Sequence, residues 1–190
     1  MTWCWLAPWT TSAVPSGSPL HLDQFLTAHT NLRNDCWGGD IRQRMSLLVE
    51  VVAAVKDRVG AKVPVGIRIS QGKVNDFKNK WLGGESDAQI IFSALADAEV
   101  DFIHVTEYEA WQPAFEGSQD SLVAMARKYA PGVSIIANGV LHDPDRAAEV
   151  IRSGADLVAL GRGALGNPDY PSLIEAGTEL REFDGSILQP

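Results

Sequence analysis

The chain has 190 residues, 45% hydrophobic and 21% charged, which suits one globular domain with a sizeable core. A formal net charge of -8 argues against a nucleic-acid partner, which would demand clustered Lys and Arg, and no apolar run is long enough to span a membrane. Cys4 and Cys36 have neither metal-ligand spacing nor a disulfide framework, so a reducing, cytoplasmic setting and no metal site are expected.

Residues 1–22 contain no Asp, Glu, Lys or Arg, yet hold Trp3, Trp5, Trp9, Pro8, Pro15 and Pro19. They lack the basic start and unbroken apolar stretch of a secretory signal, and Pro and Ser/Thr interrupt every helical or strand period. Residues 1–21 are therefore expected to be irregular, and 22–190 to form the globular unit.

From there the pattern is regular. Asp40 and Gln43 have the spacing of a capping box. Met45, Leu48, Val52, Val55 and Val59 then make one helical face that stops at Gly60. Val63 to Ile69 is strand-like. Ser86 to Gln89 resembles a second capping box, opening a helix through about Ala98, with Phe102–Val105 as the next strand. Ser118 to Tyr129 has the spacing of a helix and Val133–Ala137 that of a strand. Asp143-Pro144 starts the next helix, Gly154 ends it, and Asp156–Leu160 reads as the fourth strand. Strands alternating with helices, without hairpin turns, predict an α/β fold with parallel pairing through right-handed crossovers. An open doubly wound sheet and a (β/α)8 barrel both satisfy that pattern.

The chemistry gathers at the strand ends. The third strand runs into Ala137-Asn138-Gly139 and the fourth into Gly161-Arg162-Gly163. Glycine lets backbone approach an anion, and an arginine fork suits phosphate oxygens. In (β/α)8 barrels phosphate commonly sits beyond strands seven and eight, so if these are the last two strands of such a barrel they are those strands; the plainer alternative is glycines that merely end strands. The dinucleotide fingerprint G-x-G-x-x-G after a first strand is absent. Arg68, within an apolar strand, pairs either with a core carboxylate such as Glu107 or Asp101 or faces an anionic ligand at the barrel mouth. His104 is read as a hydrogen-bonded core histidine. His21, His29 and His142 are assigned no chemistry, and the basic stretch Lys73–Lys80 either lines a substrate entrance or is a solvated loop.

Several of these residues carry a family resemblance. Leu22-Asp23-Gln24-Phe25-Leu26, then His29-Thr30-Asn31, Arg33, Asp35, Trp37-Gly38-Gly39 and Arg44, resembles a segment of old yellow enzyme-type NADH:flavin oxidoreductases. Gly66-Ile67-Arg68-Ile69-Ser70 resembles that family's fifth strand. Ile136–Gly139, Leu160–Arg162 and Asn167-Pro168-Asp169 resemble its seventh- and eighth-strand flavin phosphate motifs. The resemblance runs from about residue 22 to the end and implies the C-terminal half of a (β/α)8 barrel, about four parallel βα units.

It further implies FMN as cofactor, with Arg68 at the pyrimidine edge of the flavin and Asn138, Gly139, Gly161 and Arg162 at its phosphate. NAD(P)H is the implied reductant and an activated alkene or enone the small-molecule substrate. The family's substrate-binding His pair falls just before the Asp-Gln-Phe-Leu motif, where this chain has Pro15–Leu20 without His or Asn, so no catalytic residue is assigned. Three readings follow: a truncated FMN-dependent oxidoreductase whose activity as an isolated chain is open; a non-catalytic half-barrel that binds phosphate or FMN, or self-associates; and a barrel lyase or isomerase acting on sugar phosphates, which the Asp-Gln-Phe-Leu segment disfavours. Residues 1–20 are expected to derive from another reading frame, a rearranged gene or a misplaced start codon. A half-barrel leaves edges and an inner face uncovered, which predicts a homo-oligomer or a complementing chain.

Overall fold

The computed structural model describes residues 21–73 and 76–188. Residues 1–20, most of the stretch expected to be irregular, lie outside them. Strands β1 (Gly66–Ile69), β2 (Phe102–Thr106), β3 (Ser134–Asn138) and β4 (Leu157–Val158) form one parallel sheet in the order β1-β2-β3-β4. Helix α1 (His21–Leu26) packs on α2 (Ile41–Val59), which leads into β1. Helices α3 (Glu85–Asp97), α4 (Leu122–Tyr129) and α5 (Pro144–Arg152) connect successive strands, and α6 (Arg162–Gly166), α7 (Tyr170–Glu175) and a 3-10 turn (Gly185–Leu188) follow. A doubly wound sheet reverses its strand order at a switch point. This one runs in chain order without reversal, as a stretch of barrel wall does.

Local signals explain most helix boundaries. The Asp40–Gln43 capping box is complete: Gln43 N donates to Asp40 Oδ1 at 3.0 Å, and Asp40 N to Gln43 Oε1 at 3.2 Å. Asp143 caps α5 through the amides of Asp145 and Arg146, with Pro144 in the first turn. The expected capping box at Ser86 is not formed. Gly84, at φ +58, is the N-cap of α3, and Asp87 turns back to accept from Gly83 N at 2.9 Å. Helix α4 starts at Leu122 rather than Ser118, because Ser121 accepts from Ala124 N and takes the cap. The stripe on α2 is buried at Met45, Leu48 and Val52, but Val55 and Val59 are exposed where the helix outruns its neighbours.

The two faces of the sheet differ. Ile67, Ile69, Ile103, Val105, Ile135 and Ala137 are buried with Ile91, Phe92 and Leu95 of α3 and Leu122 and Met125 of α4. Each of these side chains larger than Ala137 contributes about 1.5–3 kcal/mol through its burial. Parallel register then places Arg68, His104, Ile136 and Leu157 side by side on the opposite face, with Thr106 beside Asn138 above them. Leu157 is exposed there, so this face of the last strand is left uncovered.

Two carboxylates fix the lower end of the sheet in the same way. Val65 N donates to Asp101 Oδ2 at 2.6 Å while Asp101 N donates to Val65 O; Ile135 N donates to Asp156 Oδ2 at 2.7 Å while Asp156 N donates to Ile135 O. The segment that resembles the flavoenzyme family is a brace. Asn31 Nδ2 donates to Phe25 O and Trp37 O, and the buried Arg44 donates to Leu26 O at 2.9 Å and Gly39 O at 2.5 Å. Gly38 must lack a side chain, since a Cβ there would lie 2.0 Å from Arg33 O.

Candidate functional site: the carboxyl ends of the strands

Arg68 stands on the face turned away from the helices, and its Nε donates to Thr106 Oγ1 at 3.0 Å. Neither expected carboxylate pairs with it. Asp101 is spent on Val65 N, and Glu107 accepts from Gln71 N and from Lys80 Nζ at 3.1 Å. Desolvation lowers the Arg68 pKa without discharging it, as an arginine remains cationic near neutrality. Beside it His104 is half-buried, and its Nε2 is enclosed without a hydrogen-bond partner, contrary to the expected bonded histidine. Burial, reinforced by the charge of Arg68, lowers its pKa to about 4, so the ring is neutral near pH 7.

The two glycine turns have different causes. At Gly139, φ is +145 and a Cβ would lie 2.2 Å from Glu107 O. The close approach of β2 and β3, with Glu107 N donating to Asn138 O and Ala110 N to Gly139 O, requires glycine. Asn138 does not present its side chain freely; its Nδ2 donates to Ala159 O at 2.8 Å and ties β3 to the end of β4.

Gly161 is the N-cap of α6, no side chain caps that turn, and the space where its Cβ would be is open. Arg162 is exposed and makes no side-chain hydrogen bond or ion pair within the described residues. Gly163 is forced by His142, whose Cβ would lie 2.4 Å from an added Cβ. Asn167, almost wholly buried, secures the far end of this short helix through Gly163 O and Arg181 O. An uncapped first turn, a glycine that permits close approach and an unpaired arginine are together the donor set a phosphate needs. The residues present thus fit the phosphate of a mononucleotide, with a separate cation, Arg68, for a second anionic part of the ligand.

A parallel βα sheet in barrel order defines the chain as an α/β protein of the (β/α)8-barrel class. The relatives are more specific. Residues 20–181 match the sequence model of the NADH:flavin oxidoreductase / NADH oxidase family, and the chain belongs to that family.

It is 30% identical over 166 residues to an NADH oxidase of Thermoanaerobacter brockii, covering 83% of this chain and 25% of that protein. A flavin oxidoreductase of Emericella nidulans is 29% identical over 196 residues, covering 92% of this chain and 49% of that protein. Among solved structures, morphinone reductase in complex with tetrahydroNAD superposes with a TM-score of 0.70 at 31% identity, covering 87% of this chain and 43% of that one. The old yellow enzyme homologue from Zymomonas mobilis gives 0.72 at 25% identity, covering 87% and 46%. The chain thus spans about half or less of the length of the relatives it matches, and its four parallel βα units are the C-terminal half of their (β/α)8 barrel.

Thr106 escaped the sequence reading. Its part in holding Arg68 follows only from the β1–β2 register, which sets Arg68 beside His104 with Thr106 one pleat above it on the same face. Glu107 was singled out for the wrong partner: it joins the loops beyond β1 and β2. A carboxylate directly after a strand was the available signal for that role.

Proposed function

We propose that the chain binds FMN and belongs to an NAD(P)H-dependent ene reductase, with an activated alkene as the hydride acceptor. The observation that carries this reading is the uncapped Gly161–Arg162 turn with its unpartnered arginine, on the same end of the sheet as the oriented Arg68. Gly161 and Arg162 would hold the phosphate. Gly139 and Asn138 would shape the adjoining wall, the latter by fixing β3 to β4. Arg68, aligned by Thr106, would meet the pyrimidine edge of the ring and offset negative charge that builds there. FMN when bound supplies the two-electron carrier between nicotinamide and alkene. His104, neutral next to Arg68, leaves the arginine as the sole positive charge in its row of the sheet.

The relatives support the flavin and the reductant by their own names, one of them being a probable flavin mononucleotide-dependent alkene reductase of Leishmania infantum. We place the protein in the cytoplasm, on the strength of two cysteines with no disulfide framework. No helix among the described residues is long and apolar enough to cross a membrane.

The test is uptake of FMN by the purified chain, read by flavin absorbance after desalting, followed by NADH oxidation with an enone. Uptake with turnover bears out the reading in full. A second reading, a half-barrel that binds FMN or phosphate without catalysis, is favoured by the absence of His and Asn from residues 15–20. Uptake without turnover would select it, and a colourless protein that takes up no FMN would refute both.

A further inference from the structure

The loops beyond β1 and β2 carry an aromatic pair that the flavin reading leaves unused. Phe77 and Tyr108 are 60% and 57% exposed, yet their rings meet at a centroid distance of 5.7 Å and an interplanar angle of 42°. Single exposed apolar side chains are ordinary, but two tilted rings in contact and open to water offer their free faces to another flat ring.

The two loops that carry the pair are joined by polar groups. Gln71 is fully buried: its Nε2 donates to Ala114 O at 3.2 Å, its carbonyl accepts from Asn79 Nδ2 at 2.7 Å and its Oε1 accepts from Trp81 N at 3.4 Å. Glu107, directly before Tyr108, accepts from Gln71 N at 3.2 Å and from Lys80 Nζ at 3.1 Å. One carboxylate thus joins the two loops that carry the rings. Tyr108 lies two residues beyond Thr106, the partner of Arg68, or about 7 Å of extended chain. Lys78, next to Phe77, is exposed and its side chain has no partner within the described residues. In a chain of net charge -8 it is a cation open to an anionic ligand.

We propose that Phe77 and Tyr108 form a stacking shelf for the adenine ring of a pyridine dinucleotide, with Lys78 facing its phosphates. A small enone has no phosphate for the lysine, whereas a dinucleotide brings a flat base and a pyrophosphate together. The proposal deepens the reading of the chain as an NAD(P)H-dependent flavoprotein and rests on it.

ADP-ribose, which lacks nicotinamide, is the direct probe and needs no flavin. Calorimetric titration of the full chain should show saturable binding. Phe77→Ala and Tyr108→Ala should each weaken it about tenfold, the usual scale for losing a base-stacking ring. Phe77→Leu, apolar but without a π face, should weaken it as well, and Lys78→Gln should lessen its dependence on salt. In FMN-loaded protein the aromatic variants should raise KM for NADH at unchanged kcat, while reduced nicotinamide mononucleotide reacts equally with all of them. Equal ADP-ribose affinity in all variants, or no saturable binding to the wild type, would overturn the shelf. Should the wild type take up no FMN, the oxidoreductase reading falls while the ADP-ribose titration still decides the shelf.

Discussion

Two arginines at one end of the sheet differ only in their surroundings. Arg68 is oriented by Thr106, whereas Arg162 is exposed and unpartnered, so its full charge is available to a ligand. A charge-assisted hydrogen bond contributes about 1.5–3 kcal/mol, so Arg162→Ala should weaken FMN binding by about tenfold or more. An exposed side chain contributes little to folding, so thermal stability of the apoprotein should stay put. Quenching of flavin fluorescence on titration measures the first and a melting curve the second. Unchanged FMN affinity would remove Arg162 from the phosphate grip.

His104 makes the same region sensitive to pH. Burial first, and the charge of Arg68 second, lower its pKa from 6.5 to about 4 in the folded chain. On acidification the unfolded chain takes up this proton first. The stability that depends on the neutral ring is therefore complete above about pH 6.5, declines toward pH 4 and levels off below it. The total loss is at most about 3 kcal/mol. Urea unfolding at about pH 7 and pH 4.5 should show a larger drop for the wild type than for His104→Gln, a side chain that does not titrate. Parallel drops would assign the pH dependence to other groups.

At the scale of elements, the sheet is closed at its lower end by two copies of one device. Asp101 and Asp156 each accept from an amide near the start of an earlier strand and donate their own amide to the carbonyl of the same residue. Asp156 also pairs with Arg127 at 2.5 Å. Asp156→Ala leaves Ile135 N–H without its partner and should cost about 1–3 kcal/mol in denaturant unfolding. Loss of less than a few tenths would mean that water replaces the carboxylate fully. This device was not legible in the sequence, because its partners lie 36 and 21 residues apart.

What was legible is local. Asp40 with Gln43, and Asp143 with Pro144, contain their whole signal within four residues, and both helices start where those residues indicate. The Ser86 box failed because Gly84 adopts a positive φ that ends the loop first. The glycine turns of the site were legible for the same reason that caps are. The Thr106 partner of Arg68 and the shelf around Glu107 depend on strand register and loop packing, which no spacing encodes.

At the scale of the whole molecule, β1 and β4 each have one edge without a partner strand among the described residues. The face between them carries Arg68, His104, Ile136 and Leu157, with Leu157 44% exposed. Open strand edges beside an uncovered, partly apolar face are a template for pairing with another chain. The isolated chain is therefore expected to self-associate, with a sedimentation mass and a Tm that both rise with concentration. Charge gives a second handle. Two copies at -8 each repel, and two Arg68 side chains meeting across a shared inner face would repel too. Association driven by apolar burial against that repulsion should strengthen as salt is raised, the opposite of an association held by ion pairs. Ile136→Glu, which sets an uncompensated charge in the middle of the inner face, should abolish it. A wild-type chain that sediments as a monomer at every concentration and unfolds sharply would show that the four βα units need no cover for this face.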